Sequence, residues 1–201
     1  MKSETLKSLS LFIIAIAFML FIYATIEAII ISNKTQIGTS EGTYTSYVST
    51  SNEIQVKAKE LTKKCNTTMC QVQSLLNYVT NIPYQTKTFQ RYSAKKTITQ
   101  NFGDCDDKSN LLISLLHTLN IEAYFVLVPK HIFIIVPLKD ERLKRRKGIW
   151  INGDKYYILE STAKNSAIGF PLKYELNDID VIIEPFSNEK MELRGLRYGV
   201  Y

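Results

Sequence analysis

Metal-ligating side chains are scarce in this chain, which has 3 cysteines and 2 histidines in 201 residues. A structural zinc site takes four ligands, mostly from those two residue types. One here would have to recruit both His117 and His131, and no metal or other cofactor is expected. Calcium is no better served: Asp104, Asp106 and Asp107 are crowded together, without the spaced oxygen ligands and glycine of a calcium loop. First-turn acids stabilising a helix explain that cluster better. There is no glycine-rich phosphate-binding pattern, no internal repeat and no basic stripe interleaved with aromatics. A bound nucleotide is therefore not expected, and neither is a nucleic-acid partner. The formal charge of +6 is concentrated in "KDERLKRRKG", Lys139 to Gly148, with six basic residues against two acidic ones. That segment reads as a solvated loop, with contact to anionic lipid headgroups or an acidic substrate as the alternatives.

The chain does carry one long apolar run, Leu11 to Ile31, interrupted only by Tyr23, Thr25 and Glu27. It is long enough to cross the hydrocarbon core of a bilayer and reads as a single-pass membrane anchor. A cleaved signal peptide would place small residues after a short apolar region, but the Ala-x-Ala of Ala15 to Ala17 lies inside the run. Lys2 and Lys7 precede the span and Lys34 follows it, which favours a cytoplasmic N-terminus and an extracytoplasmic remainder. Residues 32–52 are rich in Ser, Thr and Gly and read as a linker. One folded domain is expected over residues 53–201, where the chain is long enough to bury a core.

Inside that domain the apolar pattern changes period. "EIQVKAKELTKK" and "CQVQSLLNYVTN" read as helices, the second with Val72, Leu75, Leu76 and Val79 on one face. Leu111, Leu112, Leu115, Leu116 and Leu119 recur at helical spacing, and Asp104 or Asp106 can cap the start of that helix. Beyond Asn120 the runs "EAYFVLV" and "HIFIIVPL" are β-branched and aromatic, "GIWINGDKYYILE" places an Asn-Gly turn between two apolar runs, and "DIDVIIEP" adds a further strand. Helices followed by strands give an α+β domain.

Cys105 lies among carboxylates at the mouth of the leucine helix rather than among the leucines, where a core cysteine would sit. Free backbone N–H groups and the helix dipole there stabilise a thiolate, while the neighbouring aspartates oppose it, so a base is needed. His117 is 12 positions along the same helix, roughly 18 Å away at 1.5 Å per residue, and suits the last helical turn instead. His131 opens a strand that a sheet packed on the helix can bring to the thiol. An imidazole base needs a fixed acceptor on its other nitrogen. Glu160, at the end of the last hairpin strand, supplies one. Asp154 shares its parity but stands about 20 Å away at ~3.3 Å per residue, in the Asn-Gly turn.

In that order, "FGDCDDKSNLLISLL", "HIFIIV" and "WINGDKYYILEST" resemble the transglutaminase-like superfamily of papain-fold cysteine enzymes, over roughly Cys70 to Thr162. The resemblance implies a catalytic triad of Cys105, His131 and Glu160, the cysteine at a helix N-terminus packed on an antiparallel sheet. The family's third member is commonly aspartate, so Glu160 is a departure of one methylene. The chemistry implied is acyl transfer. The thiolate attacks an amide carbonyl, a thioester forms, and water or an amine releases it. By analogy with small microbial-type members, a peptidase or amidase is favoured over a cross-linking enzyme. The substrate is then a protein or peptide: a cell-envelope peptide, a membrane neighbour or a soluble protein. The Cys105 N–H is the expected oxyanion donor, with the Gln100 and Trp150 side chains as further candidates.

Cys65 and Cys70 in "CNTTMC" either close a small disulfide loop, leaving Cys105 as the free thiol, or remain two unlinked thiols. "NKT" and "NTT" fit the glycosylation sequon. Two alternatives to an enzyme stay open: a tethered binding domain with an inert Cys105, and a scaffold acting through the basic loop.

Overall fold

In the computed structural model, which describes residues 2–39, 42–86 and 91–201, the chain opens with helix α1, Lys2–Thr35. Within it Leu9–Ile29 is long and apolar enough to cross a membrane, and the side chains of that stretch are exposed rather than packed in a core. The span expected from the sequence, Leu11 to Ile31, lies two residues further along.

The segment after it differs from the linker expected over residues 32–52. Strands β1, Gln36–Thr39, and β2, Gly42–Thr45, form an antiparallel hairpin, and the chain then enters the packed domain. Tyr44 is buried with its ring edge-on to Phe125 at 5.5 Å. The Ser46 hydroxyl donates to the Pro185 carbonyl at 3.2 Å, while the Tyr47 and Ser49 N–H groups donate to Asn110 Oδ1 at 2.8 Å and Ser114 Oγ at 2.9 Å. Packing therefore begins well before Glu53. A Ser/Thr-rich stretch shows little apolar period because its backbone is held by hydrogen bonds to side chains far away in sequence, which a local pattern does not reveal.

Four helices follow: α2 at Asn52–Thr62, α3 at Thr68–Asn81, α4 at Ala94–Gln100 and α5 at Cys105–His117. The apolar face read on α3 is the buried one, with Val72, Leu75, Leu76 and Val79 fully enclosed. Cys65 and Cys70 form a disulfide between α2 and α3, with Cα atoms 5.4 Å apart.

The strands are β3 at Tyr124–Val128, β4 at His131–Val136, β5 at Gly148–Ile151, β6 at Asp154–Leu159, β7 at Val181–Ile183 and β8 at Leu196–Gly199. They pair antiparallel in the order β7-β3-β4-β6-β5-β8. β8 was not anticipated, since "LRYG" has no apolar run. Asn152 and Gly153, both at positive φ, make the two-residue turn between β5 and β6 that the Asn-Gly pair predicts. Alternation then sorts the sheet into two faces. Ile132, Ile134, Val136, Tyr157 and Leu159 pack with the α5 leucines, and Phe133, Ile135, Ile149, Ile151 and Ile158 form a second cluster on the opposite face. α5 is the central helix: Leu111, Leu112, Leu115 and Leu116 have no exposed surface, and each contributes about 2 kcal/mol of burial. The basic segment is solvated as read, apart from Leu143, which a short 3-10 turn over Glu141–Leu143 buries, and Gly148, where β5 begins.

Candidate active site

The Gly-Asp-Cys-x-Asp run has a physical reason at each position. Asp104 is the N-cap of α5 and accepts the Asp107 N–H at 3.1 Å, while Asp107 Oδ2 accepts the Asp104 N–H at 3.3 Å. Two aspartates thus make a reciprocal capping box. Asp107 is fully buried, and its Oδ1 also takes the Tyr92 N–H at 2.7 Å. Gly103 lies against this pair: a Cβ there would meet Asp107 Cβ at 2.9 Å, closer than carbons pack. Cys105 is then the first helical residue, and the backbone N–H of Asp106 is directed at its sulfur.

The thiol does not behave as the helix mouth alone predicts. Burial pushes Cys105 up to about 12, with the Asp106 and Asp104 carboxylates adding to the rise. Its Sγ donates to Asp106 Oδ1 at 3.6 Å, and among the described residues it makes no hydrogen bond to His131. The expectation of a lowered thiol pKa is therefore corrected. A dipole worth a fraction of a charge is outweighed by desolvation and two full carboxylate charges.

The other two expected members do meet. His131 Nε2 and Glu160 Oε2 are 2.8 Å apart, and both side chains are largely enclosed. Burial by itself would raise the Glu160 pKa, but hydrogen bonds from His131 and from Thr162 outweigh it and hold the carboxyl below its usual value. Thr162 gives Glu160 Oε1 both its N–H, at 3.0 Å, and its hydroxyl, at 2.5 Å. One carboxylate oxygen thus faces the imidazole and the other is fixed by the turn that follows β6. Asp154 is exposed at the far end of β6, opposite Ile151, and His117 is exposed in the last turn of α5 with its ring on Phe186 at 3.8 Å. Neither joins the site.

Trp150, a candidate oxyanion donor, stands opposite Lys155 and Arg197 on its neighbouring strands and donates its indole N–H to the Gly199 carbonyl at 3.3 Å. Its partner position on β6 is five residues from Glu160, about 16 Å at ~3.3 Å per residue, so it cannot serve the Cys105 site. Gln100 ends α4 and is exposed.

Sequence reasoning missed two residues. Lys108, 1% exposed, donates its ammonium to the carbonyls of Ile82 at 2.8 Å and Thr80 at 3.4 Å. Burial holds it down to about 8, with the Glu160 carboxylate opposing. It precedes Leu111 and Leu112 by three and four positions, so helical spacing already placed it on the buried face. Tyr174, from the loop before β7, stacks on His131 with ring centroids 6.0 Å apart and planes 18° from parallel. Its hydroxyl is raised by burial and by the charges of Glu160 and Cys105, which puts one aromatic within electrostatic reach of all three expected residues. No local pattern in the sequence marks it.

A helix-mouth cysteine beside a sheet whose adjacent strands present a histidine–carboxylate pair is the architecture of a cysteine-enzyme fold. Residues 55–134 match the family profile of the transglutaminase-like superfamily, so this α+β domain has a transglutaminase-like core. Cys105 and His131 fall inside the matched segment and Glu160 lies beyond it. Among solved structures, a candidate cysteine protease from Cytophaga hutchinsonii is similar at 20% identity, with a TM-score of 0.45, over 77% of this chain and 53% of that one. A candidate protease from Parabacteroides distasonis is similar at 13% identity, with a TM-score of 0.44, over 70% of this chain and 27% of that one. The chain thus spans about half of the first and about a quarter of the second. No curated protein matches the sequence.

Proposed function

We propose that this protein is a membrane-anchored cysteine peptidase or amidase, held by α1 with its catalytic domain on the extracytoplasmic side. Cys105 is the nucleophile, His131 the general base and Glu160 the residue that orients it. The observation that carries the reading is the 2.8 Å contact of His131 Nε2 with Glu160 Oε2. If Nε2 carries the proton and donates it to the carboxylate, the lone pair is left on Nδ1, which is the tautomer a base needs. His131 Nδ1 takes the thiol proton as sulfur attacks an amide carbonyl. The imidazolium returns that proton to the departing amine as the C–N bond breaks, leaving a thioester. Water, deprotonated by the same nitrogen, then attacks the thioester carbonyl; the C–S bond breaks, the acid is released and the imidazolium returns its proton to the departing Cys105 sulfur. The Cys105 N–H at the start of α5 is the oxyanion donor.

A second reading, a tethered binding domain with an inert thiol, is favoured by one observation: the Cys105 proton is directed at Asp106 and held up to about 12. The two are separated by following hydrolysis of a quenched-fluorescent peptide library by the full-length protein in nanodiscs, together with the pH dependence of Cys105 alkylation by iodoacetamide. Cleavage that disappears in Cys105→Ala and falls about 10²- to 10⁴-fold in His131→Ala supports the enzyme. Incorporation of an added fluorescent primary amine in preference to hydrolysis turns the assignment to a cross-linker. No turnover, together with an alkylation profile indifferent to His131→Ala, leaves the binding domain.

A further inference from the structure

The register of β4 against β6 pairs Ile135 with Ile158 and Ile134 with Leu159. Carried one step further, it sets Phe133 opposite Glu160, and His131 lies two residues from Phe133 on the same strand, hence on the same face. Side chains directly opposite one another share a face, so His131 and Glu160 share theirs with Phe133 and Ile158, the face turned away from the body of α5. On that face, directly beside the His131–Glu160 pair, lies a cavity of about 310 Å³. Phe133 and Ile158, from the sheet, line it. Phe170, Pro171, Leu172, Lys173 and Tyr174 line it from one loop, with Tyr174 stacked on Phe133 at 6.4 Å as well as on His131.

We infer that this cavity is the substrate-selecting pocket of the site and that it takes one large apolar or aromatic side chain of a peptide, next to the bond under attack. This rests on the peptidase reading above. Three features carry it. The volume is at the low end for whole-ligand pockets, so it suits a side chain rather than a complete small molecule. Its lining is mostly apolar, the one carboxylate in it, Glu160, is already committed to His131 and Thr162, and Lys173 is itself a cation, so a basic side chain would enter without a partner. Finally, the pocket shares residues with the acid–base pair itself. An occupant is therefore held at a fixed offset from the imidazole, which is how binding energy positions a reacting carbonyl.

The test separates the pocket from the chemistry. Binding of N-acetyl-phenylalanine amide and N-acetyl-lysine amide to the full-length Cys105→Ala protein in nanodiscs is followed by saturation-transfer NMR, so thiol reactivity plays no part. The phenylalanine amide should bind and the lysine amide should not. Binding should be lost in Leu172→Arg, which places a charge in the cavity, and in Ala163→Phe, which fills it, with circular dichroism checking each fold. On the wild-type protein, cleavage of peptides with a large apolar residue should exceed cleavage of the alanine counterparts by roughly 10- to 200-fold, the discrimination an apolar pocket gives. Equal binding of the two amides, or binding that survives both variants, overturns the pocket. Selective apolar binding on a protein whose Cys105 and His131 prove uncoupled overturns the enzyme reading and, with it, the pocket's role in substrate selection.

Discussion

Replacing Asp106 with Asn keeps the shape of the side chain and its place in the first turn of α5 while removing the charge beside the thiol. Burial, with the Asp106 and Asp104 carboxylates, pushes Cys105 from the ordinary 9.0 up to about 12. At pH 8 that separates roughly one thiolate in ten from one in ten thousand, about a 1000-fold difference in the reactive form. Burial is the largest cause and survives the substitution. Asp106 comes next, through its charge and as acceptor of the 3.6 Å hydrogen bond. Asp106→Asn should therefore recover the smaller share, about 3- to 30-fold, in the rate of iodoacetamide alkylation at pH 8. The lower nucleophilicity of a more acidic thiolate trims the gain. Cys65 and Cys70 are bridged, so mass-spectrometric labelling reports Cys105. The helix loses a favourable first-turn charge worth about 0.3–1 kcal/mol, too little to unfold the domain, and a melting curve checks this. An alkylation rate at pH 8 that is unchanged or lower in a folded variant would refute the argument, because Asp106 would then not be holding the proton on sulfur.

Two further substitutions test the buried charges around the site. Glu160 is depressed below its ordinary 4.5, so it contributes stability above that pH and loses it as pH falls through the folded value. The stability gap between wild type and Glu160→Gln in urea should be wider at pH 7 than at pH 3, and an equal gap at both would sink the assignment. Lys108 is held down to about 8, so between about 8 and 10.5 the unfolded chain holds a proton that the folded one has released, and stability rises with pH across that window. Lys108→Met should remove that rise and, by orphaning the Thr80 and Ile82 carbonyls, cost about 1–3 kcal/mol at pH 7. Denaturation at pH 7.5 and 9.5 measures both effects, and a variant whose stability still climbs over that interval would contradict them.

The parts of the site that were legible in the sequence are those set by local pattern. Leucine spacing located α5 and put Cys105 at its start, and period-two alternation with the Asn-Gly turn put His131 at the start of one strand and Glu160 near the end of another, while the pairing of those two strands was not legible. The thiol pKa was misjudged for a different reason. Sequence shows which charges are adjacent but not how much water remains, and desolvation is the largest influence on Cys105. Lys108 was overlooked because a lysine among aspartates and serines looks solvated, although its spacing from Leu111 and Leu112 marks the core face. Tyr174 and the packed stretch from Tyr44 to Ser49 depend on contacts across many tens of residues, for which one sequence offers no signal.

The two residues that follow β6 explain how, in the proposed mechanism, a thiol on one side of the sheet and a histidine–carboxylate pair on the other can belong to one site. Glu160 and its neighbour Ser161 alternate faces. Glu160 turns to His131, and Ser161, fully buried, meets the Ser109 hydroxyl at 3.0 Å, one helical turn after Cys105. The same strand end therefore fixes the imidazole on one face and the helix that carries the thiol on the other. A one-residue slip of β6 against β4 would exchange those faces, burying the carboxylate against α5 and exposing the serine. Register is thus part of the proposed chemistry: the two-residue turn at Asn152 and Gly153 fixes β6 against β5, and the pairs Ile134–Leu159 and Ile135–Ile158 fix it against β4.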